Sequence, residues 1–254
     1  MWSPEELLQK PGITTCRHSG NRSLQNREGG KAVHEDRREH FVAKSMAERS
    51  NLWRLTAAVY EPLWRRYSTG ILTRGAWTLS DECSIIGKML SPQSEGVYLD
   101  AGCSTGVYAR ALFSEEPNCG VVLLDYSRPM LLQAARKTGK SYRAAFLQCD
   151  AADLPFADGC FDGIVMGGTL NELTEPKRVL RELLRVLKRD GRFVMMYLVR
   201  NKKKMTVVQK LAETGGVWLP DEQESEDLYR DAGFKVDLTR AAGSMRISLL
   251  RRVQ

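Results

Sequence analysis

From Gly96 onward the chain alternates short apolar runs with amphipathic stretches, and this alternation constrains the fold more than any other feature. The runs 97–102, 120–127, 144–150, 161–168 and 192–199 are rich in aliphatic residues and have lengths suited to buried strands. Helical patterns occupy 104–116, 128–139 and 176–191 between them. Pro129 sits in the first turn of the second helix and Gly139 lies just past its end, which punctuates that helix. Strands alternating with helices build a parallel sheet covered on both faces. Such a sheet binds ligands at the carboxyl ends of its strands, beside the point where strand order reverses. Helices near 203–214 and 222–232 follow, then strand-like runs at 234–240 and 245–252 that read as a β-hairpin turning near Gly243.

Residues 46–95 precede this α/β domain of 96–254. Apolar residues from Met46 through Trp53, Tyr60 and Trp64 to Tyr67 recur at helical spacing, with a bend expected near Pro62. The aromatic stripe reads first as core and second as a lid over a ligand. Another helix is expected over 78–90, with Ser80 or Asp81 as its N-cap. Residues 1–45 are polar and aperiodic and read as a flexible extension. They hold all three histidines, His18, His34 and His40, whose irregular spacing supports no metal site.

Composition narrows the classes further. Apolar residues make up 43% of the chain, which excludes disorder over its whole length. The net charge of +7 permits an anionic partner without requiring one. Six cysteines are scattered without a C-x-x-C pair, so a zinc module is not expected and free buried thiols in a reducing compartment are. No apolar run reaches the roughly 18 residues of a membrane span, and the opening MWSPEELLQKPG lacks the apolar core of a secretory signal. A cytoplasmic location is the expectation. The basic residues of 176–191 read as a solvated helix face. Arg200 with Lys202, Lys203 and Lys204 forms a sharper cluster, also read first as solvated because no aromatic-interleaved nucleic-acid motif accompanies it.

The chemistry concentrates at three strand ends. Asp100 closes the first run and is followed by Gly102, Cys103, Ser104, Thr105 and Gly106, a glycine-rich turn into a helix. Glycines there let backbone amides approach a ligand. Asp125 closes the second run, 19 residues beyond Gly106, an offset at which a carboxylate can accept both hydroxyls of a ribose. Asp150 closes the third run, where its carboxylate and the next amide could read an adenine edge. Asp162 opens the fourth run, at the opposite edge of the sheet, and is expected to bond loop backbone.

The segments YLDAGCSTGVYARAL, VVLLDYSRPMLLQAARK, LQCDAADLPFADGCFDGIVMGGTLNEL and LRELLRVLKRDGRFVMMYLV resemble, in order, the motifs of class I S-adenosylmethionine-dependent methyltransferases. They are most similar to the ubiquinone/menaquinone-biosynthesis (methyltransferase type 11) subgroup of small-molecule enzymes. The resemblance is dense over 97–200 and looser over 46–254. It implies a Rossmann-like doubly wound α/β sheet of seven strands, the C-terminal one antiparallel, with S-adenosyl-L-methionine as cofactor. Asp100, Gly102, Cys103 and Gly106 would surround the methionine portion, with Asp100 near its ammonium. Asp125 would bind the ribose, Tyr126 and Met130 would pack near the adenine, and Asp150 and Ala151 would read its edge. Gly167 would face the reacting sulfonium. Ser104 departs from the family, which usually has glycine there.

The function this implies is methyl transfer to a small-molecule acceptor, quinone-like, lipid-like or a secondary metabolite, at carbon or oxygen. Asn171 and Glu172 are placed to touch that acceptor and Tyr60 and Trp64 to cover it, yet no residue is assigned as a base. A nucleic-acid or protein methyltransferase is the second reading, drawing on the basic cluster. A binding protein that keeps the cofactor fold without catalysis is the third, supported by Ser104. A dinucleotide oxidoreductase is disfavoured because the loop lacks G-x-G-x-x-G spacing. Residues 1–40 are expected to be dispensable for cofactor affinity.

Overall fold

A computed structural model describes residues 3–9, 13–15, 65–139, 142–200, 214 and 217–253. Helix α1 (Pro4–Leu8) and strand β1 (Ile13–Thr15) come first. Helices α2 (Arg66–Leu72) and α3 (Leu79–Leu90) follow the undescribed stretch. The alternating part comprises β2 (Val97–Ala101), α4 (Val107–Glu115), β3 (Gly120–Asp125), α5 (Arg128–Thr138), β4 (Arg143–Gln148) and β5 (Phe161–Gly167). A 3-10 turn (Thr169–Glu172), α6 (Pro176–Val186) and β6 (Leu187–Leu198) continue it, and α7 (Glu222–Asp231), β7 (Phe234–Ala242) and β8 (Met245–Arg252) end it.

The strands form one sheet of order β1-β4-β3-β2-β5-β6-β8-β7. Pairings from β1 to β6 are parallel, and β8 runs antiparallel between β6 and β7. Strand order reverses at β2, which pairs with β3 on one side and β5 on the other. The doubly wound α/β architecture is as expected, with helices on both faces. Side chains alternate along each strand, so Leu99 and Val122 join a core under α6 and α7, while Tyr98 and Val121 join a core under α3, α4 and α5. Leu183 and Tyr229 anchor the first; Ile86, Phe113 and Leu131 anchor the second.

Four expectations need correction. Among the described residues the sheet has eight strands, not seven, because Ile13–Thr15 pairs in parallel with Phe146–Gln148 and adds an edge strand. The first part of the 1–45 stretch is therefore built into the fold. Ser3 and Glu6 cap α1 reciprocally, and Leu7 is 1% exposed within the core. Composition missed this because the segment is short and polar overall. The helix expected over 176–191 stops at Val186: the Gly159 and Cys160 amides take the carbonyls of Arg185 and Val186, and Leu187 turns extended to pair with Phe161. Thr78, not Ser80 or Asp81, caps α3, with Asp81 returning the bond.

The thiol expectation also fails at one position. Cys149 is disulfide-bonded, whereas Cys103, Cys119 and Cys160 are free thiols. Spacing along the chain cannot reveal such a bridge. Among the described residues no His/Cys/Asp/Glu cluster could hold a metal, and no helix is long and apolar enough to cross a membrane. The histidines, the aromatic residues of 46–64, all of the helix near 203–214 except its last residue, and Lys202–Lys204 lie outside the described residues.

Candidate cofactor site

The parallel register brings the ends of β2, β3, β4 and β5 to one edge of the sheet, at the strand-order reversal. The loop after β2 is fastened there by backbone: the Gly102 and Cys103 amides both donate to the Leu124 carbonyl, at 2.8 and 2.9 Å. Gly102, Ser104 and Gly106 all have positive φ, of 70°, 49° and 77°. Glycine adopts that region freely; Ser104 does so against its Cβ.

The two glycines answer different neighbours. A Cβ on Gly102 would stand 2.2 Å from Thr169 Oγ1, in the turn after β5. A Cβ on Gly106 would meet Leu123 and Ala134, at 2.9 and 3.3 Å. Gly106 thus lets α4 pack closely on the sheet and α5, with its missing side chain directed into the core.

Asp100 is fully buried. Its Oδ2 accepts from the Ala109 amide at 3.0 Å, and its Oδ1 has no hydrogen-bond partner among the described residues. Burial pushes its carboxyl up to about 7; the Ala109 bond and the Arg110 and Arg65 charges oppose this, and Asp125 adds to it. A buried carboxylate oxygen left without a partner is costly, and a cationic donor such as an ammonium group would satisfy it. The residues present therefore fit the charged tail of an amino acid.

Asp125 is 7% exposed. Its Oδ2 accepts from the Ser104 amide and its Oδ1 from the Ser127 amide, both at 2.8 Å. Burial raises this carboxyl to about 6 against those two bonds. Each oxygen retains a lone pair for a further donor. Ser104 also donates its hydroxyl to Met130 Sδ at 3.5 Å, which draws buried Met130 to the loop. The Tyr126 carbonyl accepts from Gln148 at 3.1 Å, tying the tips of β3 and β4 together.

Asp150 folds its own loop: Oδ1 accepts from the Ala152 amide at 2.8 Å, and Ala151 is half-buried between them. Cys103 is buried, and burial holds its thiol well above the usual range, so it remains protonated. Gly167 ends β5, but its missing side chain leaves room for protein: a Cβ there would be 1.7 Å from the Tyr108 ring. Asp162 lies at the opposite edge, away from the site as expected, but its bond, 2.9 Å from the Val97 amide, is to the first residue of β2 rather than to a loop.

Asn171 is not free to touch an acceptor. It is buried and spans two segments, donating to the Leu198 and Trp218 carbonyls at 2.8 and 2.7 Å and accepting from the Leu198 amide at 2.9 Å. Sequence reasoning missed Thr169 and Tyr108, which carry no motif signal; only the close approach to Gly102 and Gly167 reveals them.

A family profile described as a methyltransferase domain matches residues 99–195, the stretch that carries the loop, Asp100, Asp125 and Asp150. Residues 99–195 form a class I methyltransferase domain. The cofactor of this domain is S-adenosylmethionine, consistent with the unpartnered Asp100 oxygen. The chain is similar to methyltransferases of quinone biosynthesis. It is 36% identical over 108 residues to the demethylmenaquinone methyltransferase of Clavibacter sepedonicus, covering 42% of this chain and 43% of that one. It is 28% identical over 185 residues to the chloroplastic 2-phytyl-1,4-beta-naphthoquinone methyltransferase of Arabidopsis thaliana, covering 70% and 68%. The match to the Clavibacter protein thus spans less than half of that relative's length. In fold, a S-adenosylmethionine-dependent methyltransferase from Aquifex aeolicus superposes with a TM-score of 0.58 at 22% identity, over 68% of this chain and 90% of that one.

Proposed function

We propose that this protein transfers a methyl group from S-adenosylmethionine to a small-molecule acceptor of quinone-like or lipid-like character, at carbon or oxygen. The observation that carries the reading is the pair of buried carboxylates at adjacent strand tips, Asp100 with an unpartnered oxygen and Asp125 bridged to the glycine loop. The names of the relatives point the acceptor toward naphthoquinone-like rings.

When bound, the sulfonium supplies a methyl that is electrophilic without help from the protein. The chain's task is to bind, align and exclude water. Asp100 holds the ammonium, and the backbone of Gly102, Cys103 and Gly106 borders the amino-acid tail. Asp125 receives the ribose hydroxyls. Tyr126 and Met130 flank the adenine, whose edge meets Asp150 and Ala151. Gly167 lies by the methionine end, with Tyr108 filling its notch. Positioning of this kind is worth several kcal/mol, up to about 7–11 in ideal cases. A base is required only for an acceptor that arrives protonated, and none is assigned.

Incubation with isotope-labelled donor and a panel of hydroxylated quinones and phenols tests the reading. Label in the organic product supports it; donor binding with no transfer to any acceptor refutes catalysis. That second outcome defines the competing reading, a cofactor-binding protein without turnover.

A further inference from the structure

A buried polar cluster lies between the N-terminal helices and the donor pocket, and the chemistry above does not use it. Arg65 immediately precedes α2, Glu82 lies near the start of α3, and Tyr108 lies in α4. Arg65 is 7% exposed and Glu82 0%. Arg65 Nη2 pairs with Glu82 Oε1 and donates to the Tyr108 hydroxyl at 2.6 Å, and that hydroxyl donates to Glu82 Oε1. Arg65 Nη1 reaches Glu82 Oε2 at 3.2 Å, and the Thr69 hydroxyl donates to the same oxygen at 2.6 Å. The guanidinium carbon also stands 5.3 Å from the Tyr108 ring centre. A buried ion pair contributes little net stability compared with an apolar replacement, so stability alone does not explain this one.

Its placement supplies a reason. The Tyr108 ring occupies the notch at Gly167, the end of β5. The next residue, Ala109, gives Asp100 its backbone bond at 3.0 Å. We infer that Arg65 is a positioning residue for the methionine end of the donor, acting through Tyr108. Arg65 and Glu82 fix the phenol hydroxyl. The hydroxyl fixes the ring against Gly167 and the first turn of α4 beside Asp100. The Arg65 charge also opposes the effect of burial on Asp100. The inference rests on the methyl-transfer reading, since it needs a donor with an amino-acid tail at Asp100.

Calorimetry with two ligands tests it. S-adenosylhomocysteine carries the amino-acid tail; 5′-methylthioadenosine shares the adenosine half and lacks the tail. Tyr108→Phe keeps the ring and removes only the hydroxyl. The double variant Arg65→Met/Glu82→Leu removes both charges, so neither is left buried alone. Both proteins are expected to lose roughly tenfold in affinity for S-adenosylhomocysteine, the effect of one charge-assisted hydrogen bond, and to hold 5′-methylthioadenosine within about twofold of wild type. Equal losses for the two ligands would mean a general structural role and overturn the inference, as would no loss at all. Should the double variant not fold, the milder Tyr108→Phe protein decides. Wild-type protein binding neither ligand would instead defeat the donor reading itself, and the inference with it.

Discussion

The Ser104 amide donates to Asp125 Oδ2 at 2.8 Å, so the glycine loop after β2 is held by the carboxylate at the tip of β3. One side chain thus organises the loop and offers its remaining lone pairs to a ligand. Asp125→Ala is expected to weaken S-adenosylmethionine binding at least ~tenfold, because charged hydrogen bonds and the loop's anchor vanish together. Calorimetry on the purified variant reads this directly, and unchanged affinity would refute the ribose role.

The two carboxyls also predict a pH dependence with opposite signs for fold and ligand. Burial raises Asp100 to about 7 and Asp125 to about 6, above the unfolded value of 3.8. The folded, ligand-free protein therefore binds more protons than the unfolded chain between those values. Its stability from these groups is fully present below about pH 4 and is lost as pH rises through 6 and 7. An ammonium ligand needs Asp100 ionised, so donor affinity should increase from pH 6 to pH 8. Asp125, Arg110, Arg65 and the Ala109 amide are the groups that tune Asp100. Melting curves without donor, and donor titrations over the same range, check both trends; a donor affinity flat with pH would exclude an ionising Asp100.

Ser104 holds φ 49°, in the left-handed region that favours glycine. Ser104→Gly relieves the left-handed strain, partly offset by the greater freedom of unfolded glycine, for a net gain of about 0.5–1 kcal/mol. The change opens space at the loop and is expected to tighten donor binding. A lower melting temperature together with weaker binding would show that the hydroxyl bond to Met130 outweighs the strain.

Asn171→Ala removes three hydrogen bonds that join the end of β6 to the segment at Trp218. Stranding those partly buried backbone groups should cost about 2–4 kcal/mol. Chemical denaturation measures this. A variant of normal stability that fails only with acceptor would return Asn171 to a substrate-binding role.

Deletion of residues 1–15 is expected to destabilise the protein by about 3 kcal/mol or more, because Leu7 leaves the core and β4 loses an edge partner. Donor affinity should fall too, since β4 leads directly into Asp150. This reverses the expectation from composition that the segment is dispensable. Unchanged melting and binding after deletion would restore it.

Much of the candidate site was legible because its signals are local. A strand reads as an apolar run, a glycine turn as its glycines, and a strand-end acid as the next polar residue. Asp100, Gly102, Asp125 and Asp150 follow from that pattern, and Gly106 too, although its missing side chain serves helix packing. Asn171 misled, because a polar residue beyond a strand end has the same appearance whether it meets a substrate or clamps backbone.

The order of apolar and glycine-rich segments by itself determined the doubly wound sheet and the edge at which acids gather, since periodicity acts over a few residues. Only the tertiary structure decided that Ile13–Thr15 joins that sheet, that Thr169 and Tyr108 fill the space above Gly102 and Gly167, and that Arg65 meets Glu82. Each of these contacts joins residues far apart in the chain, and their energies depend on burial and close approach, which no local spacing encodes.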